Sequence, residues 1–399
     1  MGLRGDAAVV GFAEYKHERK YTGERKFTLE QWAELTHLAL VDAGLKAADI
    51  NGMVCADIRE AGMFTPATIV EYLGQPVNFA ERIDLGGANS IGMIWRAAAA
   101  IELGVCDVVI CALPGLPIPS NPVPQPINPM RYFGASSTNW GSPQAEFEVP
   151  YGNLAQNCGY AMIAQRYATD YGYDPQAMAK LVVDQRRSAA LNPHAAFYEM
   201  PIEVADVLGS KLIADPLRKL EIVMPVAGGG AVVVASREIA SKCRNRPVYV
   251  TGFGEHLTIK TPTYAEDACF TPVGPASRQA FEMAGVTPGN VDAAEIYDCY
   301  TITVLLTLED AGFCDKGSGM QFIREHDLTY AGDFPLNTHG GQLGMGQAGI
   351  AGGMTQSVEA VRQIMGRAGE RQLGQCDTVY VSGTGGIMSE QSALILQGG

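Results

Sequence analysis

The stretch Asn337-Thr338-His339-Gly340-Gly341-Gln342-Leu343-Gly344-Met345-Gly346-Gln347 points most directly at chemistry. Its glycines let the backbone take positive φ and come close to a ligand. Polar side chains stand between them, and Leu343 and Met345 are its only large apolar residues. It therefore makes a poor core segment. Loops of this kind usually carry a site that a rigid scaffold holds in place. The plainer reading is a glycine-rich turn between two elements. The choice depends on what the rest of the chain builds.

With 399 residues the chain can form two or three domain-sized units. Its 47% hydrophobic and 18% charged residues are an ordinary globular composition. A net charge of −14 opposes nucleic-acid binding, which needs a basic face. A few arginines or a helix N-terminus can still take a phosphate. Nine cysteines, with no C-x-x-C pair, fit reduced thiols better than a disulfide framework or a zinc site. No metal site is visible. The first residues carry no signal-peptide run, and no apolar stretch approaches the ~20 residues that span a bilayer. These features predict a soluble, cytoplasmic protein.

Ala7–Gly11 reads as a short buried strand. Thr28 opens a helix that closes at Ala43-Gly44-Leu45, and Gly52–Cys55 and Cys106–Leu113 read as strands. Between them, Arg82–Ser90 leads into an alanine-rich helix over Ile91–Leu103. Pro114–Pro129 has prolines too often for a helix or an interior strand. Met130–Pro150 adds Tyr132, Phe133, Trp140 and Phe147, either a binding wall or a surface excursion. The second half then echoes the first. A helix over Pro275–Ala284 closes at Ala284-Gly285-Val286, and Asn290-Val291 precedes a strand over Ala293–Tyr297. The offset that carries Ala43 to Ala284 also carries Ile50 to Val291. Two similar α/β halves about a pseudo-two-fold axis would explain this. Coincident helix caps are the bland alternative.

The repeated helix endings, Asn337-x-x-Gly340-Gly341 with Gly346, and Ser382-Gly383-Thr384-Gly385-Gly386 together resemble the thiolase superfamily, from about Ala7 to Leu396. Gln185–Pro193, Ala214-Asp215-Pro216-Leu217 and Tyr297-Asp298-Cys299-Tyr300-Thr301 look most like its sterol-carrier-protein or lipid-transfer thiolase-like branch. The resemblance implies an α/β thiolase fold: duplicated five-stranded halves in layers, with an inserted loop domain. Residues 1–113 and 227–245 would form the first half, 114–226 the loop domain and 246–399 the second half. It also implies a CoA-thioester substrate, a homodimer and no cofactor bound in this chain.

The chain departs from the thiolase pattern at the site. Thiolases place a cysteine nucleophile at the start of the helix after the third strand, and here Gly87 takes that place. Cys55 and Cys106 lie on other elements. Ser90 is a remote alternative with no adjacent base. Gln347 follows Gly346 where the family ends in Gly-His; its amide can donate to a thioester oxygen but cannot act as a base. Ser382, give or take one residue, stands where a second cysteine belongs. With Gly87, Asn337 and Gly341 it would form the substrate and oxyanion contacts. Tyr297 ahead of Asp298 is a gain, at a position where the family commonly has Asn or His. Its phenol, of reference pKa ~10, could protonate a carbanion, or serve as a base if depressed. A core tyrosine is the plainer reading. His339 is the histidine best placed for proton transfer at neutral pH.

A thiolase-like pocket without a nucleophile can still stabilise an enolate, the charge common to Claisen and aldol chemistry. The pattern resembles the thiolase-like aldolases that cleave β-hydroxyacyl-CoA side chains of steroids to a ketosteroid and propionyl-CoA or acetyl-CoA. They act with a small OB-fold/zinc-ribbon protein, and tend to carry a tyrosine at the position of Gln347. The resemblance thus implies a retro-aldol lyase using Tyr297, Asp298, His339 and Gln347. Three alternatives stand beside it: a thiolase or acyltransferase with a relocated nucleophile, a non-catalytic acyl-CoA or lipid-binding subunit, and a decarboxylase of malonyl-type thioesters.

Overall fold

The computed structural model describes residues 3–120, 140–153 and 156–399. Of the four aromatics singled out in the proline-rich region, Tyr132 and Phe133 lie outside the described residues, while Trp140 and Phe147 are exposed.

In chain order the strands are β1 (Ala7–Glu14), β2 (Gly52–Cys55), β3 (Phe79–Arg82), β4 (Val108–Gly115), β5 (Leu212–Ala214), β6 (Leu217–Arg218), β7 (Gly228–Ser236), β8 (Val248–Leu257), β9 (Ala293–Glu295), β10 (Thr378–Gly385) and β11 (Glu390–Gly398). The pair β5 and β6 stands apart; the other strands form one sheet in the order β3-β2-β4-β7-β1-β8-β11-β10-β9. Its seam is the antiparallel pairing of β1 with β8, Ala8 opposite Tyr249 and Val9 opposite Val248. Outward from the seam, β1-β7-β4-β2-β3 is matched by β8-β11-β10-β9. The fifth place of the second half is held by Leu336, which bridges Ala294 in parallel. The amide of Ala294 donates to the Pro335 carbonyl at 3.0 Å, and the amide of Asn337 donates to the Ala294 carbonyl at 2.9 Å. Pro335 has no N–H to extend this ladder.

The repeat is visible in the helix ends. Helix Thr28–Ala43 closes at Gly44 with φ 78°, and helix Val273–Ala284 closes at Gly285 with φ 68°. In each, the amide after the glycine turns back, from Leu45 to the Leu40 carbonyl at 2.9 Å and from Val286 to the Phe281 carbonyl at 3.1 Å. That is the left-handed C-terminal cap for which glycine is the least costly residue.

The helices Asn89–Glu102 and Met354–Ile364 lie at the centre. The inner faces of both half-sheets close on them, with Val9, Val109 and Val234 from one half and Val250, Val381 and Leu394 from the other. Strands covered on both faces read as near-continuous apolar runs, and the Gly228–Ser236 strand is buried along nearly its whole length. Trp32, Leu35 and Ala39 cover the outer face of the first half, and Ala280, Phe281 and Leu305 that of the second. The result is a layered thiolase-type arrangement of helix, sheet, helix pair, sheet and helix. Among the described residues, no helix is long and apolar enough to cross a membrane.

Candidate active site

The loop Asn337–Gln347 starts where that single bridge ends. Asn337 takes φ 48° and accepts from the Ile296 amide through Oδ1 at 2.7 Å, which clips the loop to β9. Gly340, Gly341 and Gly346 all have positive φ. At Gly341 the need is also steric, since a Cβ there would run into Asp298 and Gln185. The short helix Gly341–Met345 follows, and Asp298 caps it. Asp298 is fully buried and accepts from the amides of Gln342 at 2.7 Å and Leu343 at 2.9 Å, and from Gln356 Nε2 at 3.0 Å. Burial pushes its carboxyl up to about 6, against the pull of those two amides. Asp298 thus faces the loop backbone.

Tyr297, one residue earlier, points the other way. Gln347 Nε2 donates to its phenol oxygen at 3.0 Å. The ring fills the space over Gly87, where a Cβ would collide with the phenol and with the Thr384 carbonyl. A Cβ on Gly353 would overlap the Gly87 carbonyl and reach Tyr297 Cε2 at 3.3 Å. Gly87 and Gly353 lie just ahead of the two central helices. Both helices therefore begin at this point, and their partial positive ends favour negative charge here. Burial, then the neighbouring Cys299, pushes the Tyr297 phenol well above its usual value. It is held protonated at neutral pH, as a donor.

The other expected residues lie around this centre. His339 is fully buried behind the loop, with Nδ1 3.0 Å from Glu295 Oε2. Burial pulls its imidazole down, but Glu295, Glu359 and Asp298 outweigh that and hold it above its ordinary value. Ser382 is buried on β10, and its hydroxyl has no hydrogen-bond partner among the described residues. The β10 group that reaches Gly87 is the carbonyl of Thr384, two residues on. Ser90 donates to Ser357 Oγ at 2.7 Å between the two central helices, so its hydroxyl is tied up inside the core. Cys299, near the phenol, is pushed up to about 12 by burial and is not a thiolate at neutral pH.

Sequence reasoning missed Gly353, Thr384 and the segment Met224–Val226. The Gln347 amide donates to the Met224 carbonyl at 2.8 Å, and the Val226 amide donates to the Gln347 carbonyl at 3.0 Å, which holds Gln347 between them. The paired glycines Gly352-Gly353 ahead of a helix were the one available signal; Thr384 acts through backbone, which leaves no side-chain signature. Beyond Pro225 opens a cavity of about 250 Å³, lined by Arg186, Phe197, Lys219, Met224 and Leu343. Arg186 lies 3.5 Å over the Phe197 ring.

Residues 254–398 match the family described as thiolase C-terminal domain-like. The chain is 32% identical over 391 residues to the 17-hydroxy-3-oxo-4-pregnene-20-carboxyl-CoA lyase of Mycobacterium tuberculosis, covering 96% of this chain and 97% of that one. It is 30% identical to an acetyl-CoA acetyltransferase of Methanothermobacter thermautotrophicus, with the same coverage. The solved structure of the Ltp2-ChsH2(DUF35) aldolase superposes with a TM-score of 0.86 at 29% identity, covering 100% of this chain and 99% of that one. Overall similarity thus reaches both lyases and acyltransferases, and the site must separate them. The chain belongs to the thiolase superfamily, in the sterol-carrier-protein-thiolase-like branch.

Proposed function

We propose that this protein cleaves β-hydroxyacyl-CoA thioesters by a retro-aldol reaction, releasing a ketone and propionyl-CoA or acetyl-CoA, without a cysteine nucleophile. The observation that carries the reading is the Tyr297 phenol standing where a side chain on Gly87 would have to be. A covalent acyl-enzyme has no atom to form on at that position. A protonated phenol does have a task in carbon–carbon cleavage.

In that reaction the β-hydroxyl gives up its proton and the bond between the α- and β-carbons breaks. Its electron pair becomes the thioester enolate, and the phenol of Tyr297 protonates the α-carbon. The amide of Gln347 has two N–H groups. One donates to the phenol oxygen at 3.0 Å and steadies the phenolate that forms; the other is assigned to the thioester oxygen. The two central helix N-termini add to the same oxyanion stabilisation. The group that takes the β-hydroxyl proton passes it to the Tyr297 phenolate, so the phenol is restored and no external acid or base is consumed. His339, paired with Glu295, is the group we assign to that return.

We take the acyl body to be a steroid side chain. The lyase relative named for a pregnene carboxyl-CoA supports this choice. Arg186 and Lys219 are assigned to the CoA phosphates, which planar guanidinium and ammonium groups suit. The aldolase whose name joins two proteins supports assembly with a small OB-fold/zinc-ribbon partner, and we propose a homodimer of this chain within it. The test is incubation of the protein and that partner with a 17-hydroxy steroid side-chain CoA ester. Ketone and short acyl-CoA should appear in equal amounts, at a rate unchanged by exhaustive thiol alkylation. An acyl adduct on the protein by intact mass would contradict the reading.

A further inference from the structure

A second cavity borders the same centre at Gly86, the residue before Gly87. Gly86, beside Gly87, packs against Gly385, a Cβ on it reaching the Gly385 Cα at 3.1 Å. Gly86 and Gly386 line a cleft of about 580 Å³. Thr258 and Ile259 line both this cleft and a groove of about 490 Å³, so the two adjoin. The groove is walled by Ile163, Tyr264, Phe270, Ile387 and Met388. Ligand clefts run from about 300 to 1,000 Å³ and are mostly apolar, and this groove fits both descriptions.

Its floor is built with some strain. Met388 is a non-glycine residue at φ 56°, in the left-handed region, and is buried. Side chains rarely hold that conformation unless the surroundings impose it. Ile387 packs so closely on helix Gln156–Tyr171 that a Cβ on Gly159 would collide with it. Both side chains are therefore fixed directly after the glycines that border the reaction centre. The rim is the reverse: Tyr264 and Phe270 are exposed large aromatics.

We propose that this groove binds the ring-sized apolar acyl body of the thioester. The thioester then lies at Gly87 and Gln347, and the CoA runs out toward Arg186 and Lys219. Ile163, Phe270, Ile387 and Met388 are then specificity-determining residues, because they touch the part of the substrate that does not react. The inference rests on the retro-aldol reading only for the identity of the thioester.

The test uses a CoA-free probe, the ketosteroid androst-4-ene-3,17-dione, titrated into the full-length protein by equilibrium dialysis. Ala265→Trp fills the groove, and Phe270→Glu places a charge on its rim at an exposed position, where folding is not at stake. The wild type should bind, and each folded variant should bind roughly tenfold more weakly. Wild-type affinity in folded Phe270→Glu and Ala265→Trp overturns the assignment, as does a wild type that does not bind. Turnover is not read in this assay. A protein that binds the ketone, loses it in the variants and cleaves no thioester would keep the groove and lose the retro-aldol reading.

Discussion

The phenol of Tyr297 and the hydrogen atom of Gly87 share a space that cannot hold both a phenol and a side chain. This relationship predicts a coupling. Gly87→Ala should destabilise the fold by about 1–3 kcal/mol, the usual cost of overpacking. In a Tyr297→Ala background the same change should cost less, because one of the two obstacles is then gone and the Thr384 carbonyl alone remains in its way. Urea unfolding of the two single variants and the double variant reads the difference directly; equal costs in both backgrounds would place the phenol elsewhere.

The Gln347 side-chain amide donates to the Tyr297 phenol at 3.0 Å, and its backbone is pinned on both sides by Met224 and Val226. Gln347→Ala should therefore keep the fold and lower kcat by about 10²-fold, the typical cost of removing one oxyanion donor. A change confined to KM would assign Gln347 to binding alone.

How much of this was legible in the chain differs by residue. The paired caps at Gly44 and Gly285 could be read because a left-handed cap constrains residue type. The Asn337–Gln347 loop could be read for the same reason. The family resemblance put Tyr297 and Gly87 in one site but did not place the phenol over the glycine, because the two residues are far apart in sequence and nothing local links them. Thr384 and Gly353 line the site through backbone atoms and missing side chains. Thr384 lies two residues beyond Ser382 on the same strand, outside the one-residue margin of the motif match, and reaches Gly87 through its carbonyl. His339 was visible as a titratable group in a loop, but its partner Glu295 sits on β9, where a short apolar strand gives no hint of a buried carboxylate.

Asp298 predicts a pH dependence. Its folded carboxyl is raised to about 6, above the ordinary ~3.9, so the folded protein binds its proton more readily than the unfolded chain. From this group alone, stability should rise as pH falls from about 6 toward 4 and decline as pH rises through that window. Activity should move the opposite way, because protonation weakens the acceptor that holds the Gln342 and Leu343 amides. An acid limb near pH 6 in kcat, absent from whatever activity Asp298→Asn retains, is the expected result.

Glu359 predicts the opposite linkage. It is fully buried; burial alone would raise its carboxyl, but ion pairs with Arg371 and Arg362, the latter at 2.7 Å, hold it well below its ordinary value. Its contribution is present at neutral pH and is lost as pH falls below the ordinary carboxylate value. Glu359→Gln should cost about 3–5 kcal/mol, since it leaves the buried Arg371 guanidinium without its anion, while Arg362 keeps Glu14 at 2.8 Å. Chemical denaturation at pH 7 measures this loss.

The most direct measurement is product formation by Tyr297→Phe, which removes one oxygen atom and keeps the ring over Gly87. With the partner present and a 17-hydroxy steroid side-chain CoA ester as substrate, release of ketone should fall by 10²-fold or more, the scale of a lost general acid. Binding of the ester should change little. Turnover at the wild-type rate would contradict the account, because the proton for the α-carbon would then come from another group.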